Sequence, residues 1–247
     1  MNNKTLLLTS ISVVAIIIVF FIDPIPQNIA YHSFADQHKI LGIPNYWNVI
    51  SNLPFFIVGL YGFSILKSKK KEYTTSELLI YYILFTGFIS TFLGSSYYHW
   101  NPNNTTLVWD RIPMTFIFMS FFTIICANLI HPSWFKLGIK ILVPTGILSV
   151  LYWHITELYG AGDLRFYALI QFLPLILIPI ILWLYREKVK SFKWLVLVLI
   201  AYLTAKLLET YDHECFHQSN LTVSGHSLKH VFAALACFFM VTEIQNN

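Results

Sequence analysis

What most constrains this chain is a series of apolar runs, each about 18 residues or longer, the length needed to cross a bilayer core. They cover roughly 5–22, 46–66, 78–99, 107–129, 137–154, 164–185, 193–210 and 225–243 of the 247 residues. Lipid offers no partner to a bare N–H or C=O, so a run of this kind must close its own hydrogen bonds as a helix. The β-branched residues within the runs therefore do not argue for strands. Composition agrees: 56% of residues are hydrophobic and only 11% are charged, where soluble domains carry about 25% charged residues. The 17% aromatic share suits helices anchored at two water–lipid interfaces. The expected fold is an all-α integral membrane protein. The first run follows Lys4 and ends in Asp23-Pro24-Ile25-Pro26, not in a small-x-small cleavage site, so it is read as a retained helix.

The formal charge of +4 comes from clusters in short loops, not from a nucleic-acid stripe. Lys67, Lys69, Lys70 and Lys71 form one cluster, and Arg186, Lys188, Lys190 and Lys193 another. With the N-terminus inside, these and Lys4 and Lys136 fall on the inner side, while the outer side keeps little more than Lys39 and Arg165. The positive-inside rule then places both termini in the cytoplasm. Cys126, Cys215 and Cys237 are scattered and give no disulfide framework.

This orientation brings three polar stretches to the outer face. They are Gly94-Ser95-Ser96-Tyr97-Tyr98-His99, Trp109-Asp110-Arg111 and Gly225-His226-Ser227-Leu228-Lys229-His230. His226 and His230 are four apart and project from one helix face a turn apart. Ser95 and His99 share the same spacing, and the turn at Asn101-Pro102-Asn103-Asn104 folds Asp110 back toward His99. Ionisable groups inside spans are costly and mark function. Three histidines, His99, His226 and His230, would hold Zn2+ with a fourth position left to water, the catalytic type of site. A competing motif is His213-Glu214-Cys215-Phe216-His217, which matches H-E-x-x-H, a metallopeptidase signature that works only on a continuous helix. Here it falls in the polar stretch between the seventh and eighth runs, where a chance match is expected.

The same residues carry a family likeness. Asn45-Tyr46-Trp47-Asn48-Val49-Ile50-Ser51-Asn52-Leu53-Pro54-Phe55 with Gly59 resembles the opening helix of the alkaline ceramidases. Gly94-Ser95 to His99, and Asp110-Arg111-Ile112-Pro113-Met114, resemble their serine–histidine and aspartate motifs, and His226-x-x-x-His230 resembles their closing histidine pair. The likeness runs over about 45–243, in a superfamily that includes progestin and adiponectin receptors. It implies a seven-helix core over 45–247, preceded over 1–44 by one extra N-terminal transmembrane helix and an outer loop. It also implies zinc on His99, His226 and His230, flanked by Ser95 and Asp110, and hydrolysis of the amide of ceramide or a related N-acyl lipid to a fatty acid and a sphingoid base. Asp110 would act as general base and Ser95 as donor to the oxyanion. The expected partner is thus a membrane lipid, and the expected setting a bacterial cytoplasmic membrane with the zinc site toward the outer face. The acidic calcium-binding cluster of eukaryotic members is absent, since the region offers Asp36 with Gln37, His38 and Asn45, and calcium is not carried over.

Two alternatives stay open: a receptor-like protein with structural zinc, and a peptidase using His213, Glu214 and His217. Lys206, Glu209 and Asp212, at the outer end of the seventh run, are read either as a substrate mouth or as a local ion pair. His154 and Glu157 are read as interfacial tips, Asp163 and Arg165 as a local pair, and Asn48, Ser51 and Asn52 as helix-to-helix bonds.

Overall fold

The computed structural model describes residues 3–246. Its helices are α1 (Asn3–Phe21), α2 (Tyr46–Ile50), α3 (Leu53–Lys69), α4 (Thr75–Trp100), α5 (Asn104–Leu129), α6 (Trp134–Leu137), α7 (Val143–Leu158), α8 (Arg165–Leu184), α9 (Phe192–Thr210), α10 (Asp212–Gln218) and α11 (Gly225–Asn246). A π-helical turn, Gly138–Leu142, joins α6 to α7. No strand occurs among the described residues. Seven helical stretches are long and apolar enough to cross a membrane, so the chain is an all-α, multi-pass membrane protein. Of the eight expected runs, 193–210 is not among the seven. It is the 19-residue helix α9, but it carries Lys193, Lys206 and Glu209.

The chain divides into two compact units. One comprises residues 1–27, 73–84 and 115–189, the other 28–72, 85–114 and 190–247. The second unit holds every residue of the site described below. In it, Gly59 and Gly62 of α3 let the backbone approach α4, because a Cβ at either would strike Ile89 or Phe85 at 2.6 and 2.5 Å. Between α4 and α5 the turn is built from side chains. The Asn103 side chain accepts from the Thr105 and Thr106 amides at 2.9 and 3.0 Å, and the Thr106 hydroxyl donates to the Asn101 carbonyl at 2.7 Å. This satisfies the first free N–H groups of α5. Gly94 lies directly against the Trp109 carbonyl, which brings the end of α4 onto the start of α5.

The α9–α11 pair is antiparallel. Gly225 sits on the Leu208 carbonyl, and Trp194 meets Phe239 with ring centroids 6.1 Å apart. The register of these two contacts matches one helix to the other over 14 residues on each side, so α9 runs beside a helix that is itself long enough to span. Of the three charges of α9, Lys193 lies in its first turn, Glu209 in its last, and Lys206 just before the last turn.

The first unit is pinned by polar contacts in its loops. Asp163 accepts from the Arg165 side chain at two oxygens, 2.8 Å each, and the guanidinium also donates to the carbonyls of Val19 and Ile22. The expected local pair thus forms, and it also ties the end of α1 to the start of α8. Arg165 holds the Asp163 carboxyl below the usual carboxylate range. A depressed folded value adds stability that is present above the unfolded pKa of about 3.9 and fades as pH falls through the folded value. Asp163→Asn should therefore cost about 1–2 kcal/mol at neutral pH and progressively less in acid. Thermal melts in detergent from pH 7 down to pH 3 measure this. An unchanged melting temperature at pH 7 would show that the pair contributes nothing.

Candidate metal centre

His99 ends α4, and His226 and His230 occupy the first two turns of α11. All three are buried, at 0%, 4% and 3% exposure. One nitrogen from each lies within 4.8 Å of the others. Spacing along α11 accounts for His226 and His230. His99 arrives through the α4 end, which the Asn45 side chain holds by donating to the His99 carbonyl at 2.8 Å.

One pair of these nitrogens stands at the spacing of two ligands on one metal. His226 Nε2 and His99 Nε2 are 3.3 Å apart, and two nitrogens bound tetrahedrally to zinc at about 2.0–2.1 Å stand about 3.3–3.4 Å apart. His230 Nε2 is buried with no hydrogen-bond partner, while its Nδ1 lies 2.8 Å from the Ser51 hydroxyl. Ser51 in turn donates to the Asn48 carbonyl at 3.4 Å. That order makes Nδ1 the protonated nitrogen and turns the Nε2 lone pair into the cluster, the arrangement that outer partners impose on metal-ligating histidines. Lone pairs converging in a buried site repel unless a proton or cation sits among them. The three histidines can therefore hold a metal ion.

Around this centre the second unit places four acids. The Ser95 hydroxyl donates to Asp110, and both are buried. This contact forms where Gly94 meets Trp109, the residues that precede each of the two. Asp212 caps α11: it accepts from the His226 amide at 2.7 Å and from the Ala35 amide at 2.9 Å. Phe34, next to Ala35, is thereby laid against His99 and His226, each with centroids 4.6 Å away. Glu209 accepts from Lys229 at 3.1 Å and from Lys206, and the Lys229 Nζ lies 3.2 Å from His226 Nε2. Asp36 is wholly buried and accepts from the His38 amide and ring at 3.0 and 2.7 Å.

Sequence spacing pairs Lys206 with Glu209 but does not show that Lys229 joins them. It also places Ser51 only in helix packing, whereas Ser51 orients His230. Asp212 serves α11 as a cap, which its position just before a histidine-rich stretch does not signal. The His213-Glu214-Cys215-Phe216-His217 motif is helical after all, on the seven-residue α10. His213 and His217 are exposed, the His213 ring faces the Ser33 carbonyl at 3.3 Å, and neither belongs to a group of three ligands among the described residues. Compared with known proteins, the sequence matches no family model and no curated protein.

Proposed function

We propose that this protein is a zinc-dependent membrane amidohydrolase, resembling the alkaline ceramidases, that cleaves the amide of ceramide or another N-acyl lipid. The observation that carries this reading is the buried three-histidine centre with a hydrogen-bonded Ser95–Asp110 pair beside it. A purely structural zinc would more often have four protein ligands, and three leave a position for chemistry. Zinc, when bound, supplies an acidified water and polarises a carbonyl. His99, His226 and His230 hold it, and Ser51 keeps His230 turned toward it. Asp110 takes the proton from the attacking water and returns it to the departing amine nitrogen, so that a C–O bond forms as the C–N bond breaks. Ser95, whose hydroxyl is committed to Asp110, orients that carboxylate; in this reading it positions the base and does not meet the oxyanion. Phe34 packs against the His99 and His226 imidazoles and fixes their orientation.

The loop charges support eight crossings with α9 counted in, both termini cytoplasmic and the site toward the outer face; the bacterial setting follows from the resemblance alone. In that arrangement the N-terminal helix α1 is additional to a seven-helix core, and products leave outward.

The test is to incubate purified protein in detergent with ceramides and other N-acyl lipids, with and without a chelator. Fatty-acid release should be lost on chelation and restored by zinc. Asp110→Asn should keep the metal and lose at least about 100-fold in rate. Zinc binding with no release from any N-acyl lipid would instead favour a receptor-like protein with structural zinc.

A further inference from the structure

Three side chains of the site have no task in that mechanism: Lys206, Glu209 and Lys229. They form a connected group. Glu209 Oε1 accepts from Lys229 at 3.1 Å and from the Tyr31 hydroxyl at 3.3 Å, and its other oxygen takes Lys206. The Glu209 and Lys229 side chains are 15% and 16% exposed, and Lys206 is 38% exposed. The group adjoins the metal centre directly, since Lys229 also reaches His226 Nε2 at 3.2 Å.

Structural duty explains this poorly. Glu209 is the one carboxylate that touches both lysines, with Asp110 in electrostatic range of Lys229, and a second ammonium brought to the end of a span adds a desolvation cost. The other acids around the centre have partners of their own: Asp110 takes the Ser95 hydroxyl, Asp212 the His226 and Ala35 amides, and one oxygen of Asp36 the His38 amide and ring. Each ammonium has three N–H donors. Lys229 directs one to Glu209, and Lys206 directs one to Glu209. Donor capacity is left over on two cations that stand together, at one edge of the reacting centre.

We infer that Lys206 and Lys229, braced by Glu209, form an oxyanion-binding subsite, and that the lipid taken by this site carries a carboxylate or phosphate a few bonds beyond its amide nitrogen. This deepens the hydrolase reading and rests on it for the word amide; the anion subsite itself does not. The short separation between Lys229 and His226 sets the reach. A carboxylate on the carbon next to the amide nitrogen, as in an N-acyl amino acid, meets it, and so does a phosphate ester one carbon further, as in a phosphorylated ceramide. A neutral headgroup gains nothing from two ammonium groups. Lysine, a compact charge with rotatable donors, suits either oxyanion.

The experiment measures binding, not turnover, on the full-length protein in nonionic detergent, as purified and after chelation. N-palmitoylglycine is compared with its methyl ester, ceramide phosphate with ceramide, and palmitate serves as the plain fatty acid. The charged member of one pair should bind about tenfold or more tightly than its neutral partner, and the pair that shows this identifies the oxyanion. Lys229→Met should bring the ratio to near one, while Lys229→Arg should keep most of it. Equal binding within both pairs in the wild-type protein overturns the subsite, and needs no variant to fold. Palmitate binding as tightly as N-palmitoylglycine also overturns it, since the anion would then be the acyl carboxylate. If the charged lipids are preferred but nothing is cleaved, the subsite stands and the hydrolase reading falls. If cleavage occurs with no preference, the reverse holds.

Discussion

Replacing His226 with alanine should reduce bound zinc from about one ion per chain to almost none. The expectation follows from the nitrogen geometry. His226 faces His99 at 3.3 Å and shares one helix face with His230, so its loss leaves two ligands, His99 and His230, that are not adjacent in sequence and cannot close a site by local spacing. His230→Ala should behave alike, and His99→Ala, which keeps the His226–His230 pair on one helix face, should bind zinc too weakly to carry it through gel filtration. Changing both His213 and His217 to alanine should leave the metal in place, because those rings are exposed on α10 and belong to no three-ligand group. Metal content after gel filtration measures all four proteins. Zinc retained in His226→Ala but lost in the His213/His217 double variant would move the metal to the H-E-x-x-H helix and restore the peptidase alternative. Ser51→Ala belongs to the same series as an intermediate case: outer partners of metal-bound histidines typically contribute about 10–100-fold in affinity, so zinc should bind but be stripped by weaker chelators.

The series also shows which parts of the site a sequence can disclose. His226 and His230 are legible because helical periodicity fixes them relative to each other. His99 is separated from them by more than a hundred residues, and it is legible only because spans of even count return the chain to the same face. Ser51, Asp212 and Lys229 were less accessible for physical reasons. A hydrogen bond from Ser51 to His230 needs the crossing of two helices to be known to within an ångström. Asp212 acts through backbone amides, which any sequence offers. Lys229 is one position from His230 and three from His226, so by spacing it could equally face lipid interface or centre, and only packing against α9 turns it to Glu209. The fold was more legible than the site, since lipid forces a helix on every long apolar run. Its one ambiguity is α9, where Lys206 and Glu209 lower the apolar signal of a helix that nonetheless runs beside α11. The charges that obscure the span are those that build the edge of the site.

Gly94→Ala should be the most damaging single-methyl change in the site region. A Cβ at Gly94 would lie 1.9 Å from the Trp109 carbonyl oxygen and 2.7 Å from its carbon. Both are backbone atoms of α5, so no rotamer change relieves the overlap, and the two helices must separate by an ångström or more. That separation acts where Ser95, one residue on, donates to Asp110, one residue past Trp109, and five residues before His99. We expect a loss of stability well above the 1–3 kcal/mol usual for overpacking, with lower melting temperature, weaker zinc retention and no recovery in the Gly94→Ala/Trp109→Ala double variant, because the obstructing atoms are not in the Trp109 side chain. Gly162→Ala is the comparison within the same chain. There the added methyl meets first the carboxylate end of Glu157 at 2.0 Å, a side chain that can move at the cost of the bonds it accepts from the Gln27 amide and the Trp153 indole, so the melting temperature should fall less. If Gly94→Ala melted like the wild type and kept its zinc, the α4–α5 crossing would not be the close contact that sets Ser95 against Asp110. If the Trp109→Ala change rescued it, the crossing would be held apart by the indole and not by the backbone. Either result would detach the Ser95–Asp110 pair from the glycine that precedes it.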